Sequence, residues 1–132
     1  AKVVFGGLGI NMVRGMAGTG PIARALEAPS IEEVTNPTAR TFRAFAEQTK
    51  SDLKALAACI RSSRAPITAE MIREIAVPVL VAVGDQDVIG GGADELARLI
   101  PGARAYTIPG KDHNRAVGDR SFKAEALAFF ES

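Results

Sequence analysis

The chain has 132 residues, enough for one domain with a real core, and its composition (47% apolar, 23% charged) is that of a folded globular protein rather than a disordered one. Sixteen basic against fifteen acidic residues leave a net charge of +1. The basic residues are scattered, which removes the electrostatic case for nucleic acid or an anionic membrane as partner. A single cysteine rules out an internal disulfide, and no apolar run approaches the roughly 18 to 20 residues needed to cross a bilayer, so a reducing, cytoplasmic location is expected.

Lys2 to Phe5 is a short apolar run closed by Gly6-Gly7, which suits a strand buried on both faces. It is entered directly from Ala1, without an initiator methionine or a targeting segment, and the expectation is that the amino-terminal part of a longer protein precedes it. From Leu8 to Pro29 glycines recur (Gly9, Gly15, Gly18, Gly20) without a helical stripe, predicting loop and short turns around at most one helical turn. Asn36-Pro37 is a helix start, with a side-chain acceptor at the cap and a proline where no donor is needed. Phe42, Phe45, Ala46 and Thr49 then share one helical face. Leu53, Leu56, Ala57 and Ile60 repeat that spacing after Ser51-Asp52, which can start a second helix. Ser62, Ser63 and Pro66 end this region, and Thr68 caps a short helix carrying Met71, Ile72 and Ile75.

Val77-Pro78 opens a β-branched run, Pro78 to Val83, that breaks at Gly84 and leads into an acidic loop with Asp85 and Asp87. A connecting helix follows, with Ala93, Leu96, Ala97 and Ile100 as its inward stripe and with Asp94 and Glu95 in its first turn, where the helix dipole favours negative charge. It stops at Pro101-Gly102. A third apolar run, Ala105 to Ile108, precedes Pro109-Gly110 and His113, the sole histidine. From about Asp119 a closing helix places Phe122, Ala126, Phe129 and Phe130 on one face. The order β, mixed helices, β, α, β, α implies an α/β fold with parallel strands and right-handed crossovers. Asp87 and His113 both fall just past the carboxyl end of a strand, the edge where open parallel sheets hold ligands and chemistry.

A carboxylate that orients an imidazole, with the imidazole acting as base on a nucleophile, is the logic of a hydrolytic triad. The segment "VPVLVAVGDQD", followed by "IPGARAYTIPGKDH" and the terminal "FKAEALAFF", resembles the carboxyl-terminal half of an α/β-hydrolase, whose triad runs nucleophile, Asp, His along the chain. The resemblance implies that Asp87 is the acid of a Gly-x-x-Asp turn starting at Gly84 and that His113 is the base after the last strand. It covers the chain closely from about Val77 to the end. More loosely it accounts for the opening strand and for a helical insertion at about residues 21–76, which sits where the family carries a cap or lid and would roof the substrate pocket. On this resemblance residues 1–132 are the carboxyl-terminal part of a parallel-sheet α/β-hydrolase domain with a helical cap insertion. The implied activity is hydrolysis of a small ester or similarly activated bond, with no metal and no organic cofactor.

The sequence departs from that family at the nucleophile. No G-x-S-x-G elbow is present, and Ser30, Ser51, Ser62, Ser63, Ser121 and Ser132 all lack its flanking glycines. The backbone donors of an oxyanion hole belong to the same missing region. Cys59 lies mid-helix beside Leu56 and Ile60 and reads as a buried small hydrophobe rather than a nucleophile. Asp85 competes with Asp87 as the acid but misses the turn position, and Asp112 reads as a solvated neighbour of His113. "FGGLGINM" lacks the third small residue of a dinucleotide fingerprint, and Gly90-Gly91-Gly92 reads as a flexible connection into the following helix rather than an anion site. The expected partners are a small-molecule substrate and either a missing amino-terminal half or a second copy paired through the opening strand. The alternative reading is a non-catalytic α/β ligand-binding module or half-Rossmann unit, and the sequence upstream of Ala1 would separate the two.

Overall fold

The computed structural model describes residues 1–15, 19–62 and 66–132. Gly18 and Ser63, named above, lie outside them. In chain order the elements are β1 (Val3–Gly6), α1 (Asn11–Arg14), α2 (Thr19–Glu27), a 3-10 turn (Ile31–Glu33), α3 (Pro37–Gln48), α4 (Leu53–Arg61), α5 (Ala69–Arg73), β2 (Val79–Gly84), α6 (Ala93–Ala97), β3 (Arg104–Ile108), α7 (His113–Ala116) and α8 (Arg120–Glu131). They divide into two compact units, Ala1–Ala17 with Pro66–Ser132, and Gly18–Ala65.

The first unit is the sheet unit. Its three strands are parallel in the order β1-β2-β3, with Val3 opposite Val79 and Leu80 opposite Arg104. Every residue of β2 is buried, as a central parallel strand covered on both faces requires, and its near-continuous run of Val, Leu and Ala follows from that. On one face Val79, Val81 and Val83 pack with Ala93, Leu96, Ala97 and Ile100, so the stripe expected of the connecting helix is the one that is buried. Ile72 of α5 joins the same cluster, and Thr68 caps that helix through Met71 N at 3.2 Å. On the other face Ala82 and Ile108 meet Ala116, with Tyr106 and Phe122 against them. Asp119 caps α8 by accepting from Ser121 N and Phe122 N. Phe129 is buried, but Phe130 is 52% exposed, contrary to the expected four-residue stripe. It instead lies beside the Phe129 ring, with centroids 5.8 Å apart.

The second unit is helical, and it departs from expectation in both α2 and α3. Residues 19–27 form the two-and-a-half-turn helix α2 despite Gly20 and Pro21. Pro21 stands in its first turn, where few intrahelical donors are lost, and Ile22, Ala25 and Leu26 make a short buried i, i+3, i+4 face. Helix α3 begins as expected, Asn36 Oδ1 accepting from Ala39 N at 2.9 Å with Pro37 at the first position. Its buried face, however, is Ala39, Arg43 and Ala46, while Phe45 is 52% exposed. Arg43 sets that phase. Its Nη1 donates to the carbonyls of Ala25 and Ala28, both at 2.7 Å, and its Nε to Glu47 at 2.8 Å, so the buried guanidinium satisfies the carbonyl end of α2.

Candidate active site

Asp87 and His113 are brought together at the carboxyl ends of β2 and β3. Strand β2 ends at Gly84, and a tight turn closed by Asp87 N donating to the Gly84 carbonyl at 3.1 Å carries the carboxylate back over the sheet edge. Gly84 is required there: a Cβ on it would lie 2.0 Å from the Lys111 carbonyl oxygen, in the loop that delivers His113. That loop is tied to the Asp87 turn by Gln86 N donating to the Lys111 carbonyl and Asp85 N to that of Ile108, each at 3.1 Å. The two catalytic candidates are therefore held by backbone contacts between their own loops.

The Asp87 side chain has no exposed surface. One carboxylate oxygen, Oδ1, accepts from Ile89 N at 2.9 Å and Gly90 N at 2.8 Å, and the other, Oδ2, lies 2.8 Å from His113 Nδ1. Burial pushes the Asp87 carboxyl up, but the hydrogen bonds from His113, Gly90 and Ile89, with the imidazole's charge, outweigh it and hold the carboxyl below the ordinary carboxylate range. His113 moves the other way: its hydrogen bond to Asp87 raises it above the ordinary imidazole value against the opposing effect of burial, helped by the charges of Asp87 and Asp112. An imidazole that gives its Nδ1 proton to a carboxylate is fixed as the tautomer whose Nε2 can accept a proton.

His113 lines a cavity of about 240 Å³ together with Gly6, Gly7, Ala82, Ile108, Ala116, Val117 and Phe122. Apart from the imidazole, every side chain on that lining is apolar, and none is a serine or cysteine. Gly7 sits at φ +72°, with the His113 ring 3.2 Å from where its Cβ would stand, so the first glycine-rich stretch leaves room for the base.

The competing candidates lie elsewhere. Asp85 is exposed. Asp112 caps α7, accepting from Arg115 N at 2.9 Å and Arg115 Nε at 3.2 Å. Ser30 caps the 3-10 turn, Ser62 Oγ donates to the Cys59 carbonyl, and Ser121 Oγ donates to Asp119. Cys59 is exposed rather than buried, because α4 buries Ala57 and turns the next two residues outward. Gly90-Gly91-Gly92 differs from the reading of a flexible connection, since it packs on the first glycine-rich stretch. A Cβ on Gly9 would meet the Gly91 carbonyl at 2.3 Å, and one on Gly90 the Gly7 carbonyl at 2.5 Å. Among the described residues no three His, Cys, Asp or Glu side chains are grouped to hold a metal ion, and no helix is long and apolar enough to cross a membrane.

The α/β fold of the chain is shared with part of solved α/β-hydrolase structures. An esterase from Exiguobacterium antarcticum superposes with a TM-score of 0.67 at 13% identity, covering 98% of this chain and 56% of its own. An esterase from Rhodococcus sp. ECU1013 does so at 0.56 and 24% identity over 100% of this chain and 56% of its own. A bromoperoxidase from Bacillus anthracis matches at 0.53 and 15% identity over 99% of this chain and 58% of its own. The chain thus carries part of the α/β-hydrolase fold and spans a little over half the length of these structures. No family model matches the sequence, and no curated protein matches it. The names of the three enzymes already differ in chemistry, so the fold alone does not choose the reaction.

Proposed function

We propose that this chain supplies the acid and the base of a serine-hydrolase triad acting on small esters or related activated bonds, and that the nucleophile comes from a segment outside residues 1–132. The observation that carries the reading is the Asp87–His113 pair, 2.8 Å apart, with the far carboxylate oxygen held by two amides and the imidazole on an apolar cavity. In this mechanism His113 Nε2 takes the proton of the attacking hydroxyl as the bond to the acyl carbon forms, then returns it to the departing alcohol. Asp87 keeps the ring oriented and stabilises the imidazolium between those steps. The missing segment would add its strand to the outer edge of β1; the other candidate for that edge is a second copy of this chain.

The test is turnover of an aryl acetate by the natural full-length protein. Wild type should be active, and His113→Ala should lower kcat by about three to four orders of magnitude. Residues 1–132 alone should stay at background. Full activity in the His113 variant would remove the base from this account, and His113-dependent turnover by residues 1–132 alone would place the nucleophile within them.

A further inference from the structure

The Asp87 loop is gripped from behind by a residue that none of the motif arguments selected. Asn11, the first residue of α1, donates from Nδ2 to the Ile89 carbonyl at 3.0 Å and, more weakly, to the Val88 carbonyl at 3.4 Å. Its backbone N–H donates to the Gly90 carbonyl at 3.0 Å, and its neighbour Ile10 N to the Gly92 carbonyl at the same distance. The Ile89 carbonyl and the Gly90 N–H belong to one peptide group, as do the Val88 carbonyl and the Ile89 N–H. Those two N–H groups are the ones that hold Asp87 Oδ1. A continuous relay therefore runs from the Asn11 amide, through two peptide groups, to Asp87 and on to His113 Nδ1. Hydrogen bonds in such a chain polarise one another, and each fixes the geometry of the next.

We infer that Asn11 is a positioning residue for the Asp87–His113 pair, acting through the peptide groups of the Val88–Gly90 loop. The surroundings are built for it. Gly91 sits at φ +77°, and a Cβ there would lie 2.9 Å from both Cγ and Oδ1 of Asn11, so the amide comes closer to this backbone than any side chain would allow. Arg14, one turn further along α1, pairs with Glu95 of α6 at 2.8 Å and adds a second tie between the same two segments. Loss of the Nδ2 donor frees the loop, lets Asp87 drift from the ring and weakens the preference for the Nδ1–H tautomer. The role in catalysis rests on the function proposed above; the effect on His113 does not.

His113 is the only histidine, so imidazole nitrogen and proton resonances report on one site without assignment by mutation. In the wild-type chain, ¹⁵N–¹H spectra across a pH titration should show the Nδ1–H tautomer and a midpoint above 6.5, the ordinary imidazole value. In Asn11→Ala and in Asn11→Leu, which is close to Asn in volume, lacks the donor and adds no charge, the midpoint should fall by about half a unit or more and the Nδ1 proton should exchange faster. Met12→Ala, which trims a core contact from the same helix, is the control for stability loss alone. Unchanged His113 signals in both Asn11 variants would overturn the inference, as would an equal shift in Met12→Ala. If the full-length protein proves indifferent to His113 in ester turnover, the function falls while these spectra still decide the role of Asn11.

Discussion

Asp87 carries a charge where its side chain has no contact with water, and it is tolerable because three donors reach it. The same contacts make the pair sensitive to pH in a direction that can be worked out. His113 is raised above 6.5, so its contribution to stability is fully present below 6.5 and is lost as pH rises through its folded value. Asp87 is lowered below 3.8, so its contribution is present above 3.8 and is lost as pH falls through its folded value. Both act together between these limits. The stability difference between wild type and His113→Gln, from urea unfolding, should therefore be larger at pH 5 than at pH 8.5. A difference that is flat or grows with pH would mean that the pair is not coupled as described. For a base that must be neutral, the same raised value moves the acid limb of any His113-dependent activity to higher pH.

At the scale of elements, what the sequence made legible were features whose cause is local. The stripe Ala93, Leu96, Ala97 and Ile100 is buried as a unit, and the caps at Asn36, Asp52, Thr68 and Asp119 all accept the backbone donors that their residue types suit. The placement of Asp87 and His113 just past strand ends is legible for the same reason, from the apolar runs that close at Gly84 and Ile108. The misses have non-local causes. The phase of α3 is decided by carbonyls at Ala25 and Ala28, 18 and 15 residues before Arg43, which no periodicity of α3 contains. Glycines read as loop formers turned out to be close-approach positions, because their partners, such as Gly9 and the Gly91 carbonyl, meet only in the folded sheet. The end of α3 shows the same limit. Ser51 N bonds the Ala46 carbonyl and Lys50 N that of Glu47, with Lys50 at φ 55°, a left-handed helix stop without the glycine that would announce it. Asn11 is not legible in the sequence for this reason too: the peptide groups it bonds lie 77 and 78 residues away.

At the scale of the molecule, the sheet unit ends at β1, and among the described residues no strand pairs with its outer side. Val3, Val4 and Phe5 are only half-buried, and no proline or inward-pointing charge guards the edge. Lys2, the nearest cation, is engaged at the end of α8, donating to the Phe129 carbonyl at 2.9 Å and to Ser132. Residues 1–132 alone should therefore self-associate through this edge, measured as a dimer or larger species by sedimentation. A stable monomer at high concentration would show the edge to be covered from within.

The central claim is that His113 activates a nucleophile lying outside residues 1–132. Labelling of the natural full-length protein with a fluorophosphonate, followed by peptide mapping, tests this most directly, because the reagent bonds only to a hydroxyl made nucleophilic by its base. The account predicts a single labelled serine outside these residues, with labelling slowed by about three orders of magnitude or more in His113→Ala. A label within residues 1–132, or a rate unchanged by the substitution, would contradict it.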